Sequence, residues 1–195
     1  EEGRGFLSLT GILRGATGPG DEFGLYADYG LAPRLTLGLE VNATSGRAGH
    51  ALGFIRLPLG RRTGHMRYAL ELGLGGYRRF GTWRPMVKST LSAGRGFGSR
   101  WGPGWLAADA AIEYRRDLPD PTYKLDMTLG LSPDPGPRPM LQLETAYLPG
   151  AGFTWSLTPA LLVNAGKRVS WVAGFERKSA NPTGLGLKLG LWRRF

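Results

Sequence analysis

From Arg34 to Thr44 apolar and polar positions alternate without a break, Leu35, Leu37, Leu39, Val41 and Ala43 standing against Arg34, Thr36, Gly38, Glu40, Asn42 and Thr44. Successive side chains of a strand point to opposite faces, so a period of two this long predicts a strand with a different solvent on each side. The pattern recurs from Tyr123 to Ser132, where Tyr123, Leu125, Met127, Leu129 and Leu131 oppose Lys124, Asp126, Thr128, Gly130 and Ser132, and again from Gly184 to Trp192. Alternation and turn-forming residues together divide the chain into about twelve strand-like runs: 5–14, 22–31, 34–44, 50–59, 65–77, 84–97, 104–115, 122–132, 138–148, 152–163, 167–177 and 183–195. The run 84–97 is the least regular, because Met86, Lys88 and Thr90 oppose Val87, Ser89 and Leu91 only weakly.

The connections between these runs fall into two alternating sets, as an up-and-down antiparallel barrel requires. With both termini at one side, that side carries the turns 31–34, 60–64, 98–103, 133–137 and 164–167, and the other side 16–21, 45–49, 78–83, 116–121, 149–151 and 178–182. Both sets are short, which leaves no room for a plug or a long constriction loop. The expected architecture is all-β: a single barrel domain spanning 1–195.

Composition narrows the choice. The 32 glycines and 14 prolines point to many tight turns rather than long helices. No apolar run approaches the roughly 18 residues of a membrane helix, so entry into a bilayer requires a closed sheet, which leaves no backbone group unpaired in lipid. The chain begins at Glu1 without a charged-then-apolar leader, as a processed mature protein does. The absence of cysteine removes disulfide, thiolate-zinc and thiol chemistry together. A net charge of +10 suits anionic headgroups. It argues less for nucleic acid, since the basic residues are scattered over alternating segments rather than gathered on a helix beside stacking aromatics.

Alternation alone does not say which face meets lipid, and a soluble barrel with a leucine-filled interior has the same period. Aromatic residues decide in favour of the membrane: Tyr29, Tyr68, Tyr114, Tyr123, Tyr147, Phe153, Trp155, Trp171 and Phe175 gather near strand ends, where amphipathic rings suit the bilayer interface. The opposite face mixes small residues with charges of both signs, as a hydrated lumen does.

The chain ends in Lys188-x-Gly190-x-x-Arg193-x-Phe195, preceded by Leu185, Leu187, Leu189 and Leu191. This resembles the terminal assembly signal of bacterial outer-membrane β-barrels of the small, porin-like kind, with Arg193 at a position that is usually apolar. The resemblance implies the outer membrane, insertion by the barrel-assembly machinery through Lys188, Gly190 and Phe195, and no particular subfamily. A monomer is expected.

A twelve-strand sheet tilted by about 40° closes with a backbone diameter of roughly 24 Å, so its side chains determine whether a pore remains. Alternation places Glu40, Glu71, Asp109, Asp126 and Glu144 inward at similar heights. Arg34, Arg56, Arg67, Arg168 and Arg194 fall toward the periplasmic end, and Lys88, Lys124 and Lys188 beyond the acids. These residues support two readings. One is a narrow charge-lined channel for passive diffusion of small polar or charged solutes. The other is a closed structural or lipopolysaccharide-binding barrel filled by salt bridges, since buried charges must be paired. The inward glycines Gly38, Gly73, Gly75, Gly130, Gly186 and Gly190 leave room for water or relieve curvature strain.

External Arg47, Arg78, Arg79, Arg116, Arg177 and Lys178 form a basic rim suited to lipid phosphates. Lipid hydrolysis or acyl transfer, which occurs on some barrels, would need a His-Ser pair. His50 lies near the external rim beside Ser45, whereas His65 lies near a periplasmic turn, so the two histidines do not act together and no enzyme is expected. No His/Asp/Glu spacing suggests a metal site, and Gly94-Arg95-Gly96-Phe97-Gly98 lacks the helix and Lys-Ser/Thr ending of a phosphate loop. No cofactor is expected.

Overall fold

A computed structural model describes residues 2–14, 20–45, 48–60, 65–133 and 136–195. Twelve strands form: β1 (Gly5–Leu13), β2 (Glu22–Ala32), β3 (Leu35–Thr44), β4 (Ala48–Leu59), β5 (Met66–Arg79), β6 (Thr82–Ser99), β7 (Gly102–Arg115), β8 (Thr122–Leu131), β9 (Arg138–Leu148), β10 (Gly152–Asn164), β11 (Val169–Lys178) and β12 (Asn181–Arg194). Each pairs antiparallel with its sequence neighbours, and β1 pairs with β12, from Phe6 opposite Arg194 to Leu13 opposite Leu187, so the sheet closes. Every expected run corresponds to one strand. Four of the expected connections, 16–21, 45–49, 60–64 and 133–137, lie partly or almost wholly outside the described residues.

The least regular run becomes the longest strand. β6 extends over 18 residues because its hairpin with β5 tightens to Phe80-Gly81, with Arg79 paired to Thr82. Both turn residues take positive φ, 49° and 84°, the geometry whose twist matches that of the flanking strands. The expected turn over 78–83 is therefore mostly strand.

Closure assigns the faces. Leu37, Leu39, Leu72, Leu74, Leu125, Leu129, Leu161, Leu187 and Leu189 are 39–67% exposed, on strands all round the barrel. An apolar belt of this extent is stable only against an apolar solvent. All nine aromatics expected at strand ends are exposed on this outer surface. Tyr29, Tyr68 and Trp171 lie toward the end that holds the termini; Tyr114, Tyr123, Tyr147, Phe153, Trp155 and Phe175 lie toward the opposite end. Tyr123, Tyr147 and Phe153 occupy one continuous register row across β8, β9 and β10.

The inner face is partly filled. Met140, Ala160, Leu162 and Val172 form one buried cluster, with Trp105 and Trp192 packed against it, and Leu52, Tyr77 and Met86 form another. Two inner glycines serve these rings. A Cβ on Gly38 would lie 2.1 Å from the Phe54 ring, and one on Gly130 would lie 2.5 Å from the Trp105 indole. At these two positions the missing side chain admits an aromatic ring, not water.

The belt yields a stability test. Replacing Leu39, 44% exposed on the outer face midway along β3, with Arg should cost about 2–4 kcal/mol near the bilayer midplane. The same replacement of Thr36, on the inner face of that strand, should cost much less. Urea titration of the folded barrel in lipid vesicles measures both, and a larger loss at Thr36 than at Leu39 would show the faces reversed.

Candidate functional site

The lumen is organised by side-chain clusters that the register brings together from several strands. Arg56 on β4 donates from Nη2 to Glu71 Oε2 on β5 at 2.6 Å and from Nη1 to Asp28 Oδ2 on β2 at 3.2 Å. Its guanidinium also lies 5.6 Å from the Tyr26 ring centroid and 5.3 Å from that of Phe54, and these two rings stack at 5.4 Å. Tyr26 Oη donates to the same Asp28 oxygen at 3.1 Å. One arginine is thus fixed by two carboxylates and two rings, an arrangement that offsets its loss of water.

A second cluster centres on Glu40 of β3. Lys88 Nζ donates to both carboxylate oxygens at 2.9 and 2.8 Å, and His50 Nε2 lies 2.8 Å from Oε1. A third centres on Glu113 of β7, fully buried, with Arg115 Nη2 at 2.6 Å and Lys124 Nζ at 3.5 Å. Toward the end opposite the termini, Arg14 binds Glu176 and, at 2.9 Å, Glu22, while Lys178 Nζ reaches Glu22 at 2.5 Å and Glu176 at 3.8 Å.

Other inner carboxylates have no such partners. Asp109 on β7 stands directly opposite Asp126 on β8, and Asp126 directly opposite Glu144 on β9. Ser92 and Ser156 flank this row in register on β6 and β10. Asp126 accepts the Thr145 backbone N–H at 3.1 Å, and Glu144 accepts the Ser156 hydroxyl at 3.3 Å. Among the described residues none of the three is within ion-pair distance of a cation. Like charges directly opposite each other on a sheet repel, and the ammonium groups of Lys124 and Lys188 offset that repulsion only from beyond contact distance.

A cavity of about 630 Å³ at the terminus end is lined by Arg34, Arg56, Arg67, Asp28 and Asp109. One of about 340 Å³ holds Glu40, Glu144, Gln142 and Lys188, and one of about 320 Å³ near the opposite end holds His50, Arg79 and Arg115. The clusters sit between these spaces: Asp28 and Arg56 face the first while Tyr26 faces the second, and Glu40 faces the second while His50 faces the third.

No protein-family model and no curated protein matches this chain. Solved structures do. The KdgM porin superposes with a TM-score of 0.68 at 11% identity, covering 97% of this chain and 99% of that one. KdgM in complex with disordered oligogalacturonate gives 0.69 at 11%, with the same coverage. Omp33 of Acinetobacter baumannii gives 0.56 at 8%, covering 98% of each chain. The fold is that of a porin-like outer-membrane barrel. At these identities the likeness is one of fold and assigns no subfamily.

Within this porin-like barrel, alternation assigns Glu40, Glu71, Asp109, Asp126, Glu144, Arg56, Arg67, Lys88, Lys124 and Lys188 to the inner face, and each of them except Asp126, which stands in register between Asp109 and Glu144, joins a lumenal cluster or lines a cavity. Lys188 Nζ donates to Gln142 at 2.7 Å rather than to an acid. Asp28, Glu113, Glu176, Arg14 and Arg115 were not singled out in the sequence, although the same alternation places Glu113 two positions beyond inward Ala111. Their partners lie on other strands, which only closure reveals. Of the basic rim, Arg78, Arg79, Arg116 and Arg177 are exposed toward the end opposite the termini, and Arg47 lies outside the described residues. Lys178 differs: it joins the Glu22–Glu176 cluster, because a long flexible ammonium gains more from two carboxylates than from solvent. His50 bonds Glu40 rather than a serine, so the described lumen holds no His-Ser pair.

Removing Arg56 tests the central cluster. Arg56→Met leaves Asp28 and Glu71 without their cation and should cost roughly 3 kcal/mol, the lower part of the range for a broken buried pair because Arg56 is partly exposed. Arg56→Lys should recover part of this. Urea unfolding in vesicles reads both, and an unaltered midpoint for the Met variant would refute the cluster's structural weight.

Proposed function

We propose that the protein is a passive outer-membrane channel for small polar or charged solutes, with a preference for cations. The observation that carries this reading is the Asp109–Asp126–Glu144 row, three adjacent inner carboxylates with no cation at ion-pair distance among the described residues, of which Asp109 and Glu144 line cavities. A lumen packed shut would have to pair or neutralise them; a hydrated one screens them with water and passing cations. The inner residues Glu40, Glu71, Arg56, Arg67, Lys88, Lys124 and Lys188 complete the lining. The Arg56 and Glu40 clusters act as narrow points between successive cavities, so only small solutes pass.

The terminus end faces the periplasm, and the chain is inserted as a monomer by the barrel-assembly machinery through its Lys188, Gly190 and Phe195 signal. Exposed Arg78, Arg79, Arg116 and Arg177 then meet lipopolysaccharide phosphates at the external surface. A second reading, a closed barrel, has support from the same ion pairs, since three clusters bridge strands across the lumen.

Planar-bilayer recording separates the two. Stepwise, salt-dependent currents with a cation-selective reversal potential are expected. Asp109→Asn with Glu144→Gln should shift that potential toward anions without lowering thermal stability, because it relieves like-charge repulsion. Silence from folded protein would favour the closed barrel. Currents with a reversal potential indifferent to the double substitution would refute the role of the row.

A further inference from the structure

A fourth cavity, of about 270 Å³, lies at the terminus end on the side away from β2 to β6, and its chemistry differs from that of the lumen beside it. Its walls include Trp105, Trp192, Leu162 and Pro139, and among the described lining residues the polar side chains are those of Arg138, Arg194 and Ser132. Both indoles are held in place. Trp105 lies against Gly130, where no Cβ could fit, and Trp192 meets Phe6 edge-on at 5.8 Å and 75°; both pack on the Met140–Leu162 cluster. Arg138 is tied to Asn164 and to the Ser170 hydroxyl at 2.9 Å, yet its buried Nε has no hydrogen-bond partner among the described residues. The Arg194 guanidinium makes no ion pair among them either.

We propose that this cavity binds a small aromatic carboxylate, its ring among Trp105, Trp192 and Leu162 and its carboxylate on Arg138 and Arg194. A hollow that sets two indoles and a leucine beside two arginines offers a partner to each half of such a ligand, and convergent apolar and polar groups of this kind are the usual form of a small-molecule site. A flat ring suits paired indoles, and a carboxylate matches the planar fork of guanidinium donors. An apolar void of about 150 Å³ already accepts benzene, so this one has room for a ring with a short acidic arm. A saccharide suits it poorly. Its many hydroxyls need acceptors as well as donors, and among the described lining residues only the Ser132 hydroxyl, besides the backbone, can accept. The site does not depend on ion conduction.

The test is calorimetric titration of the full-length folded barrel in detergent with phenylacetate, acetate and 2-phenylethanol. Saturable binding of phenylacetate is expected, at least tenfold tighter than that of either of the others. Arg194→Gln should weaken it at least tenfold. So should Gly130→Ala, since the added methyl would meet the Trp105 ring at 2.5 Å and push it into the cavity. If either variant fails to fold, the three-ligand comparison on the unaltered protein carries the test alone. Equal binding of acetate would reduce the site to a general attraction for anions, and equal binding of 2-phenylethanol to apolar partition; either result, or no binding at all, overturns the proposal. A protein that conducts ions but does not bind phenylacetate overturns the site and leaves the channel reading intact. Binding without conductance does the reverse.

Discussion

Everything else in this structure depends on the requirement that no backbone N–H or C=O be left unpaired in hydrocarbon. A sheet meets that requirement only by closing on itself, and here the closing contact is β1 with β12. Once closed, the barrel has one inner and one outer face and a single register around its circumference. Because the side-chain period is two, a slip of one residue at any hairpin would exchange the faces of a whole strand. Leucines on one face and charges on the other make that slip costly, so the side-chain pattern and the backbone pairing reinforce each other.

The same register brings charges inward, and the protein treats them in two ways. Glu40, Glu71, Glu113 and Glu176 each have a cation from the same or another strand. Taking a charge out of water costs several kcal/mol, and good pairing geometry offsets that cost. Asp109, Asp126 and Glu144 are instead left side by side. The difference separates a scaffold that ties strands together across the lumen from a row of acids with no cation in contact among the described residues.

Aromatic rings divide the interior further. Trp192, Phe6, Tyr26 and Phe54 run in contact from β12 through β1 and β2 to β4, ending beneath Arg56. Glycines under Phe54 and Trp105 make the rings fit within a barrel of this width. As a result the terminus end is not one vestibule but two spaces, one lined by Arg34, Arg56 and Arg67, the other by two indoles with Arg138 and Arg194. The KdgM porin shares this fold at 11% identity, so the frame leaves the interior free to be filled differently.

Strand number, the lipid-facing leucines and the aromatic girdles were legible in the sequence, because each depends on a local period of two and on residue types suited to a known solvent. The inward residues, including Glu40, Glu71 and Asp126, were legible for the same reason. Their partners were not. Arg56 meets Glu71 across one hairpin but Asp28 over one intervening strand, Lys88 reaches Glu40 over two intervening strands, and Lys178 turns from the rim to Glu22 only because β2 lies across the closed seam from β11. Nor could alternation show that Gly38 and Gly130 accommodate rings, since that depends on the residue standing opposite in the register. Periodicity assigns a side chain to a face; only the closed sheet determines what it meets there, because curvature brings together strands that the sequence keeps far apart.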